Sequence, residues 1–412
     1  MSKLDTDFVR SQFPAFSQDN LQGHAFFENA GGSYACGQVI DRLTRFYTRH
    51  KVQPYAPYQA SAEGGAMMDE GYKRLAGLFN VAEDEMNFGP STTQNTYVLA
   101  QAFKGILEEG DEIIVTNQDH EANTGAWRKL ADAGITVKEW QVNPQSGELE
   151  LEQLENLLES GEVKLVTFPH CSNIVAHINP VADIAKRAHD AGAVVVIDGV
   201  SYAPHGFPDV STLGADVYLC SLYKVYGPHQ GAMVVRRDLR ERLANQSHYF
   251  NADEPHKKLV PAGPDHAQIG AVAGIAEYFD AVHAHHFEDE VDDAELGLRV
   301  SSLMREQEVS LTKNLIDYIN ERNDMRLIGP TDAEKRAPTL AIETLSRDPQ
   351  EVAEDLNQHG IMCWAGDFYS PRVLQAMGLD PESGVLRLSF VHYTTVQEVE
   401  KLKTALDSVF HK

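Results

Sequence analysis

The stretches AVVVIDG (residues 193–199) and DVYLCSLYKVYGP (residues 216–228) decide the fold class of this chain. Four consecutive aliphatic residues in the first stretch predict a strand that is buried on both faces of a sheet, and the second stretch begins as another strand. Asp198 ends the first strand, and Lys224 follows the second just before a Gly-Pro turn. Because functional sites of α/β sheets lie at the carboxyl ends of the strands, these two residues are candidates for a functional site.

Apolar runs on either side of these stretches alternate with amphipathic segments from about residue 65 to 240. The predicted strands are DEIIVTN, VKEWQV, VKLVTFP, AVVVIDG, DVYLCS and GAMVVRR, and the predicted helices are QNTYVLAQAFKGILEE, LEQLENLLESG and VADIAKRAHDAG. Alternation of strands and helices implies a mostly parallel sheet that is covered on both faces. The predicted fold class is therefore α/β.

The pattern of predicted helices and strands changes after about residue 285. A long charged helix (LMREQEVSLTKNLIDYINERN) is followed by three short strands (TLAIETL, GIMCWAG and VLRLSFV) and a closing helix (TVQEVEKLKTALDSVF). This pattern predicts a smaller α+β domain over residues 286–412, after a large domain over residues 21–285. Residues 1–20 are expected to pack on the smaller domain.

Composition excludes several classes of function. The 412 residues carry 35 basic and 61 acidic side chains, and the formal net charge of −26 argues against nucleic acid and anionic membranes as partners. The start, MSKLDTDFVRSQFPAF, resembles no signal peptide, and no apolar run is long enough to span a membrane, so we expect a cytoplasmic protein. Four scattered cysteines, and a HAHH run without metal-site spacing, predict free thiols and no metal.

Three further features bear on whether Lys224 belongs to a functional site. Asp198 either caps a turn or pairs with a buried cation, and Lys224 lies one strand-loop-strand step further along. In FGPSTTQNTYVLAQAF (residues 88–103), hydroxyl residues precede an apolar helix, which suits either a plain helix cap or a phosphate site. In TNQDHEANTGAW (residues 116–127), His120 also follows a strand.

Together these features resemble the class V aminotransferase family of pyridoxal-phosphate enzymes, and within it the cysteine desulfurase and selenocysteine lyase branch. The resemblance runs from FFENAGGSYACGQVI (residues 26–40) to LRLSFVHYTTVQEVEKL (residues 386–402), and its most specific part is the pattern DG…S-x-x-K-x-x-GP. It implies the fold type I of pyridoxal-phosphate-dependent transferases, with a seven-stranded, mostly parallel sheet in the large domain and a smaller α+β domain at the carboxyl end.

The resemblance also implies roles for individual residues. Lys224 would carry pyridoxal 5'-phosphate as a Schiff base (aldimine) and move the Cα proton, Asp198 would keep the pyridinium nitrogen protonated, and His120 would stack on the ring. The remaining contacts would come from Thr92, Thr93, Asn173, Ser201, Ser221 and Tyr223 to the cofactor, and from Arg387 and Asn29 to the substrate.

The chain departs from the desulfurase branch at three positions. Tyr369 stands where the branch has its persulfide-forming cysteine, and Cys363 is expected to be a buried thiol within the preceding strand. Tyr223 and Ser201 stand where histidine and glutamine are common. These departures favour a carbon–sulfur or carbon–selenium lyase without a persulfide relay. Transamination, epimerisation and a catalytically inactive scaffold remain alternatives at this stage.

The expected partners follow from the same resemblance. The substrate would be a small amino acid whose side chain the sequence leaves open. PAGPDHAQIGA (residues 261–271) resembles the segment that reaches the phosphate of a neighbouring subunit, which implies a homodimer with sites at the subunit boundary. Within it, His266 is a better phosphate partner than Asp265.

Overall fold

The fold is taken from a computed structural model that describes residues 3–410. Its strands are β1 (Ala25–Phe26), β2 (Met86–Gly89), β3 (Glu112–Thr116), β4 (Thr136–Trp140), β5 (Val163–Pro169), β6 (Val194–Asp198), β7 (Val217–Ser221), β8 (Gly231–Val235), β9 (Met325–Leu327), β10 (Thr339–Thr344), β11 (Ile361–Met362), β12 (Trp364–Gly366) and β13 (Val385–Ser389). Its α-helices are α1 (Thr6–Ser11), α2 (Gly37–Arg45), α3 (Gln59–Leu78), α4 (Thr92–Lys104), α5 (Glu121–Arg128), α6 (Leu151–Leu158), α7 (Val181–Asp190), α8 (Val210–Leu213), α9 (Arg237–Arg242), α10 (His266–His286), α11 (Asp293–Asn320), α12 (Pro349–Gln358), α13 (Pro371–Ala376) and α14 (Val396–Phe410).

The larger sheet has seven strands in the order β2-β8-β7-β6-β5-β3-β4. β8 runs antiparallel to both of its neighbours, β2 and β7, and the other neighbouring pairs are parallel. The prediction of a mostly parallel sheet of fold type I is therefore confirmed. Because β3, β5, β6 and β7 point the same way, their carboxyl ends meet at one edge of the sheet.

Both faces of this sheet are buried, as the aliphatic runs predict. Along β6, Val195 and Ile197 belong to one hydrophobic core, whereas Val196 belongs to the core on the opposite face. Side chains alternate between the faces of a strand, so a run of aliphatic residues satisfies both cores at once. A strand held on both sides in this way gives its terminal residue, Asp198, a fixed position.

The smaller sheet is antiparallel and has the strand order β12-β13-β10-β9. Apolar residues of α11, α12 and α14 pack on it and form a separate core. β13 lies between β12 and β10, and this inner position carries Arg387. The small sheet therefore presents Arg387 from a rigid element rather than from a loop.

The prediction of one continuous strand over GIMCWAG is wrong. The stretch divides into β11 and β12, and Cys363 lies between them. The two pieces have different partners, because β11 pairs in parallel with β1 whereas β12 pairs with β13. The two pieces therefore belong to different sheets, and the change of partner occurs at Cys363.

The amino-terminal residues contact both parts of the chain. Arg10 donates from Nη1 to the carbonyl oxygen of Tyr393 at 2.9 Å and forms an ion pair with Glu398 at 3.0 Å. Phe8 stacks on the ring of His285, near the end of α10, at a centroid distance of 3.9 Å. The proposed boundary after residue 285 lies at this helix end, and the division into domains stays a prediction.

Within residues 3–410, no helix is both long and apolar enough to cross a membrane.

Candidate active site

All nine residues that were predicted to contact the cofactor line one cavity of about 210 Å³. These residues are Thr92, Thr93, His120, Asn173, Asp198, Ser201, Ser221, Tyr223 and Lys224. The cavity lies at the edge where the carboxyl ends of β3, β5, β6 and β7 meet, next to the start of α4. Five separate segments of sequence are thus brought to one place, although the role of each residue stays a prediction.

Lys224 ends a single helical turn, Leu222–Lys224, that follows β7 directly. Its side chain is only 8% exposed, and burial lowers the pKa of its amine to about 8. The positive charge of Arg387 also lowers this pKa, while the charges of Asp198 and Glu28 act in the opposite sense. A lysine with this pKa exchanges its proton near neutral pH, as a nucleophile or a catalytic base must.

If Lys224 forms the Schiff base that the resemblance implies, its pKa predicts how covalent uptake of pyridoxal phosphate depends on pH. Only the neutral amine attacks an aldehyde, so the uptake rate should rise about tenfold per pH unit below pH 8 and level off above it. Protein stripped of its cofactor, mixed with pyridoxal phosphate and followed by stopped-flow absorbance, measures this profile. Circular dichroism at each pH checks that the fold is kept. A rate that still rises tenfold per unit at pH 10 would indicate an ordinary lysine and contradict the prediction.

Asp198 lies beside a second buried carboxyl group, that of Asp119. Burial raises the pKa of both groups, and the charge of Asp198 raises the pKa of Asp119 further. Asp198 accepts a hydrogen bond from the amide of Val200 at 2.9 Å, so it does cap the turn behind the strand, as one sequence alternative held. The charge of Lys224 lowers the pKa of Asp198, and a protonated ring nitrogen beside Asp198 would stabilise its carboxylate further.

Asp119 is the residue that the sequence analysis missed. It follows β3 just as Asp198 ends β6, so the same signal, a carboxylate after a buried strand, could have identified it. Oδ2 accepts from the side-chain amide of Asn123 at 2.6 Å, and Oδ1 is buried without a hydrogen-bond partner. Its place in the cavity wall makes it part of the site.

The start of α4 has the features of a phosphate site. The Ser91 hydroxyl caps the helix by accepting from the amide of Gln94 at 3.2 Å. The hydroxyl of Thr92 donates to the carbonyl oxygen of Cys220 at 2.8 Å and lies 2.8 Å from that of Ser221, which therefore acts as the donor. The first amides of a helix have no partner within it and, with the helix dipole, attract an anion.

Gly231 permits the close approach of β8 to the start of α4. A Cβ atom at this position would lie 2.5 Å from the backbone carbon of Ser91 and 2.5 Å from the backbone nitrogen of Thr92. Neither backbone atom can move without shifting the first turn of α4. Glycine is therefore required here because β8 begins in contact with the helix.

His120 is a neutral imidazole with a defined tautomer. It caps α5, since Nδ1 accepts a hydrogen bond from the amide of Ala122 at 3.0 Å. Burial lowers the pKa of His120 to about 3, and the nearby charges of Lys224 and Arg387 lower it as well. Nδ1 therefore carries no proton at neutral pH, and Nε2 carries one.

Asn173 joins the cavity to a loop of the small domain. Its Nδ2 donates to the carbonyl oxygen of Phe368 at 3.0 Å, and its Oδ1 accepts from the hydroxyl of Ser370 at 2.8 Å. The loop contains Tyr369, whose ring is 73% exposed and lies 5.5 Å from the ring of His120, centroid to centroid. Tyr369, which the resemblance equates with the nucleophile position of desulfurases, therefore lies beside His120 and is largely exposed.

The two predicted substrate residues lie outside the cavity wall. Arg387 is only 3% exposed and donates from Nη2 to Oε1 of Glu28 at 2.7 Å. Its charge reaches the site, because it lowers the pKa of Lys224. Asn29 is also buried, and its Nδ2 donates to the hydroxyl groups of Tyr393 and Ser33.

The cysteines offer no activated thiol to this cavity. All four are free and buried. Burial raises the pKa of Cys363 to about 12, and it raises the pKa of Cys171, which lines the cavity, to about 12 as well. A thiol with such a pKa is a poor nucleophile at neutral pH. The expectation that Cys363 packs as a buried thiol agrees with its place between β11 and β12.

Across residues 3–410, no group of three or more histidine, cysteine or acidic side chains is arranged to hold a metal ion. In the HAHH run, Nε2 of His285 contacts Oδ2 of Asp5 at 3.0 Å, and Nε2 of His286 accepts from the amide of Asp5 at 2.9 Å. This run therefore anchors the amino terminus.

The residues of the cavity fit pyridoxal phosphate. The amides at the start of α4 match the phosphate, the buried Asp198 matches a protonated ring nitrogen, and the Lys224 amine matches the aldehyde. These three matches come from the segments that end or follow β2, β6 and β7. A cavity with only one of them would suit many ligands, whereas the set suits this cofactor.

Comparison with known structures and sequences agrees with this geometry. A cysteine desulfurase from Thermococcus onnurineus superimposes with a TM-score of 0.85 over 100% of both chains at 22% identity, and the likeness shows the fold. The aminotransferase-like protein FGM3 of Gibberella zeae is 35% identical over 99% of each chain. The cysteine desulfurase-like protein ustD of Aspergillus flavus is 29% identical over 98% of this chain and 91% of its own.

The family assignment rests on nearly the whole chain. Residues 25–288 and 297–402 match the family described as aminotransferase class-V. The matched residues include the two strand ends that carry Asp198 and Lys224, and the small-domain strand that carries Arg387. The chain therefore belongs to the class-V aminotransferase family, whose members are pyridoxal-phosphate enzymes.

Proposed function

We propose that this enzyme cleaves the bond between Cβ and sulfur, or selenium, of an α-amino acid without passing the sulfur to a cysteine of its own. One observation carries the proposal. The cavity combines Lys224 and Asp198 with a nearby Arg387, yet the loop that faces it presents Tyr369 instead of a thiol. Such a site can activate an amino acid but has no acceptor for its sulfur.

The roles proposed for the protein's own side chains follow from their positions. Arg387 binds the substrate carboxylate, because a guanidinium offers two parallel donors to it. The bound cofactor supplies the electron sink that makes the Cα proton acidic. Lys224 removes this proton at Nζ, which its pKa of about 8 permits near neutral pH. Burial of the site excludes water while the proton is held.

The proposed cleavage balances without an oxidant or reductant. The Cβ–S bond breaks, its electron pair leaves with sulfur, and the Cα proton is held by the enzyme. With cysteine, uptake of one water then gives sulfide, pyruvate and ammonia. In a desulfurase relay the sulfur would instead remain on the protein as a persulfide, which requires a reactive thiol.

We expect pyruvate and the cleaved sulfur or selenium product to form in equal amounts. That product is sulfide from cysteine, the persulfide of free cysteine from cystine, a thiol from a cysteine conjugate, and selenide from selenocysteine. The measurement is a coupled assay for pyruvate together with a colorimetric assay for the chalcogen. Alanine, which has no leaving group at Cβ, is the matched control and should yield no pyruvate. Failure to turn over any of these compounds, or recovery of a persulfide on one of the four cysteines by mass spectrometry, would overturn the proposal.

Transamination is a second candidate, which we retain because a relative with 35% identity is named aminotransferase-like. The same Lys224 and Asp198 would serve it. Activity that stops after one turnover and resumes when a keto acid is added would favour transamination over cleavage. Exchange of the Cα proton with solvent, with no change in the carbon skeleton, would instead favour epimerisation.

We further propose that two copies associate through an apolar groove beside the cavity. The groove has a volume of about 780 Å³ and shares Thr93 and His229 with the cavity. Asp265 accepts from two backbone amides at the start of α10, so its carboxylate serves as a helix cap and His266 stays the better of the two candidates for the phosphate of a second copy. Native mass spectrometry gives the oligomeric state, and a monomer at micromolar concentration would contradict this arrangement.

A further inference from the structure

The loop over residues 367–370 is tied to the large domain at three points. Asn173 contacts it twice, as described above. The carbonyl oxygen of Tyr369 accepts a hydrogen bond from the amide of Glu121 at 2.8 Å, directly beside His120. The loop is therefore fixed against the residues that form the cavity.

Its backbone adopts a conformation that side chains disfavour. Phe368 has a φ of 49° and Tyr369 a φ of 58°, both in the left-handed region, which is uncommon for residues other than glycine. Such a conformation persists when the surrounding contacts hold it, and the three ties do so here. The turn directs the ring of Phe368 toward β13.

The ring of Phe368 covers one face of the Arg387 guanidinium. The central carbon of the guanidinium, Cζ, lies 3.6 Å from the ring centroid. Glu28 occupies one end of the same group, at Nη2, while Nε is buried without an acceptor. A ring on the face of a guanidinium attracts it without using its N–H donors, which lie in the plane. The donor at Nε therefore has no hydrogen-bond acceptor among the described residues.

We infer that Phe368 is a positioning residue for the substrate carboxylate, and this inference rests on the proposed function. By holding the plane of Arg387, it sets the direction in which the free N–H donors point. The loop that carries a sulfur acceptor in desulfurases would then serve recognition here. An aliphatic side chain at this position would fill space but would not attract the guanidinium.

The test compares two ligands that differ only in the carboxylate. L-Alanine and ethylamine share the amine and the methyl group, and calorimetric titration of the cofactor-loaded protein measures the binding of each without relying on turnover. We expect Phe368→Leu to weaken the binding of alanine about fivefold to tenfold and the binding of ethylamine less than twofold. Phe368→Tyr, which keeps a ring, should restore alanine binding to within about twofold of the wild type.

The possible outcomes separate this inference from the proposed function. Equal weakening of alanine and ethylamine by Phe368→Leu would show a purely structural role for the ring and overturn the inference. Unchanged binding of both would overturn it as well. If the wild type bound neither ligand, action on amino acids itself would be refuted, and the inference with it. Thermal unfolding of each variant checks that weaker ligand binding does not result from a less stable fold.

Discussion

Replacing Lys224 with alanine should abolish turnover of every amino-acid substrate, with a fall in kcat of at least about 10³-fold. Two functions would be lost together, because the proposal assigns both attachment of the cofactor and removal of the Cα proton to the same amine. The pKa of about 8 is what makes both possible, and no substitution by a non-ionisable residue can reproduce it. Absorbance of the purified protein and kcat for the best substrate are the two measurements.

The matched control for this variant is Lys164→Ala. Lys164 is an exposed lysine whose closest ion-pair contact is 3.7 Å, to Glu162. Its removal should leave absorbance and kcat within about twofold. A Lys224→Ala protein that keeps a covalently attached cofactor, or a kcat within tenfold of the wild type, would show that the reactive amine lies elsewhere in the chain.

Replacing Arg387 with lysine should lower kcat/KM for amino acids by about 10²-fold while the cofactor stays bound. Lysine keeps the positive charge that Glu28 requires, so the effect isolates the lost geometry. An ammonium group is a point charge and cannot present two parallel donors to a carboxylate. We expect the loss mainly in KM, because the carboxylate does not react.

Arg326→Lys provides the control in the same small sheet. The side chain of Arg326 is 58% exposed and pairs with Glu343 on the adjacent strand at 2.6 Å. Neither residue lines the cavity. Its replacement should change kcat/KM by less than about twofold. The assignment of Arg387 to the carboxylate would be contradicted if Arg387→Lys weakened ethylamine, which lacks a carboxylate, as much as it weakened alanine.

The sequence predicts the sheet and the strand-end residues because their signals are local. Four aliphatic residues before Asp198 predict a strand that is buried by a core on each face. The Gly-Pro turn after Lys224 predicts the end of the strand and loop that carry this lysine. The carboxyl ends of parallel strands share an edge, so placing these residues near each other required no knowledge of the rest of the molecule. Confirmation of the sheet follows from this rule.

Contacts between distant segments could not be predicted from such local signals. Asn173 and Phe368 are joined by a hydrogen bond across 195 residues, and neither stretch carries a local sign of the other. The division of GIMCWAG at Cys363 depends likewise on the arrival of β1 from the other end of the chain. Strand propensity describes one segment, whereas pairing depends on two. Asp119 differs, since its signal was present in the sequence.

The pairing of the amino-terminal strand with β11 has a consequence for the order in which the site is built during synthesis. Glu28 and Arg387 are 359 residues apart, so a ribosome that adds 5–20 residues per second separates their appearance by roughly 18 to 72 s. The large sheet, with Asp198 and Lys224, can fold in that interval. β1 has no partner until β11 has been synthesised, and the ion pair between Glu28 and Arg387 can form only after that.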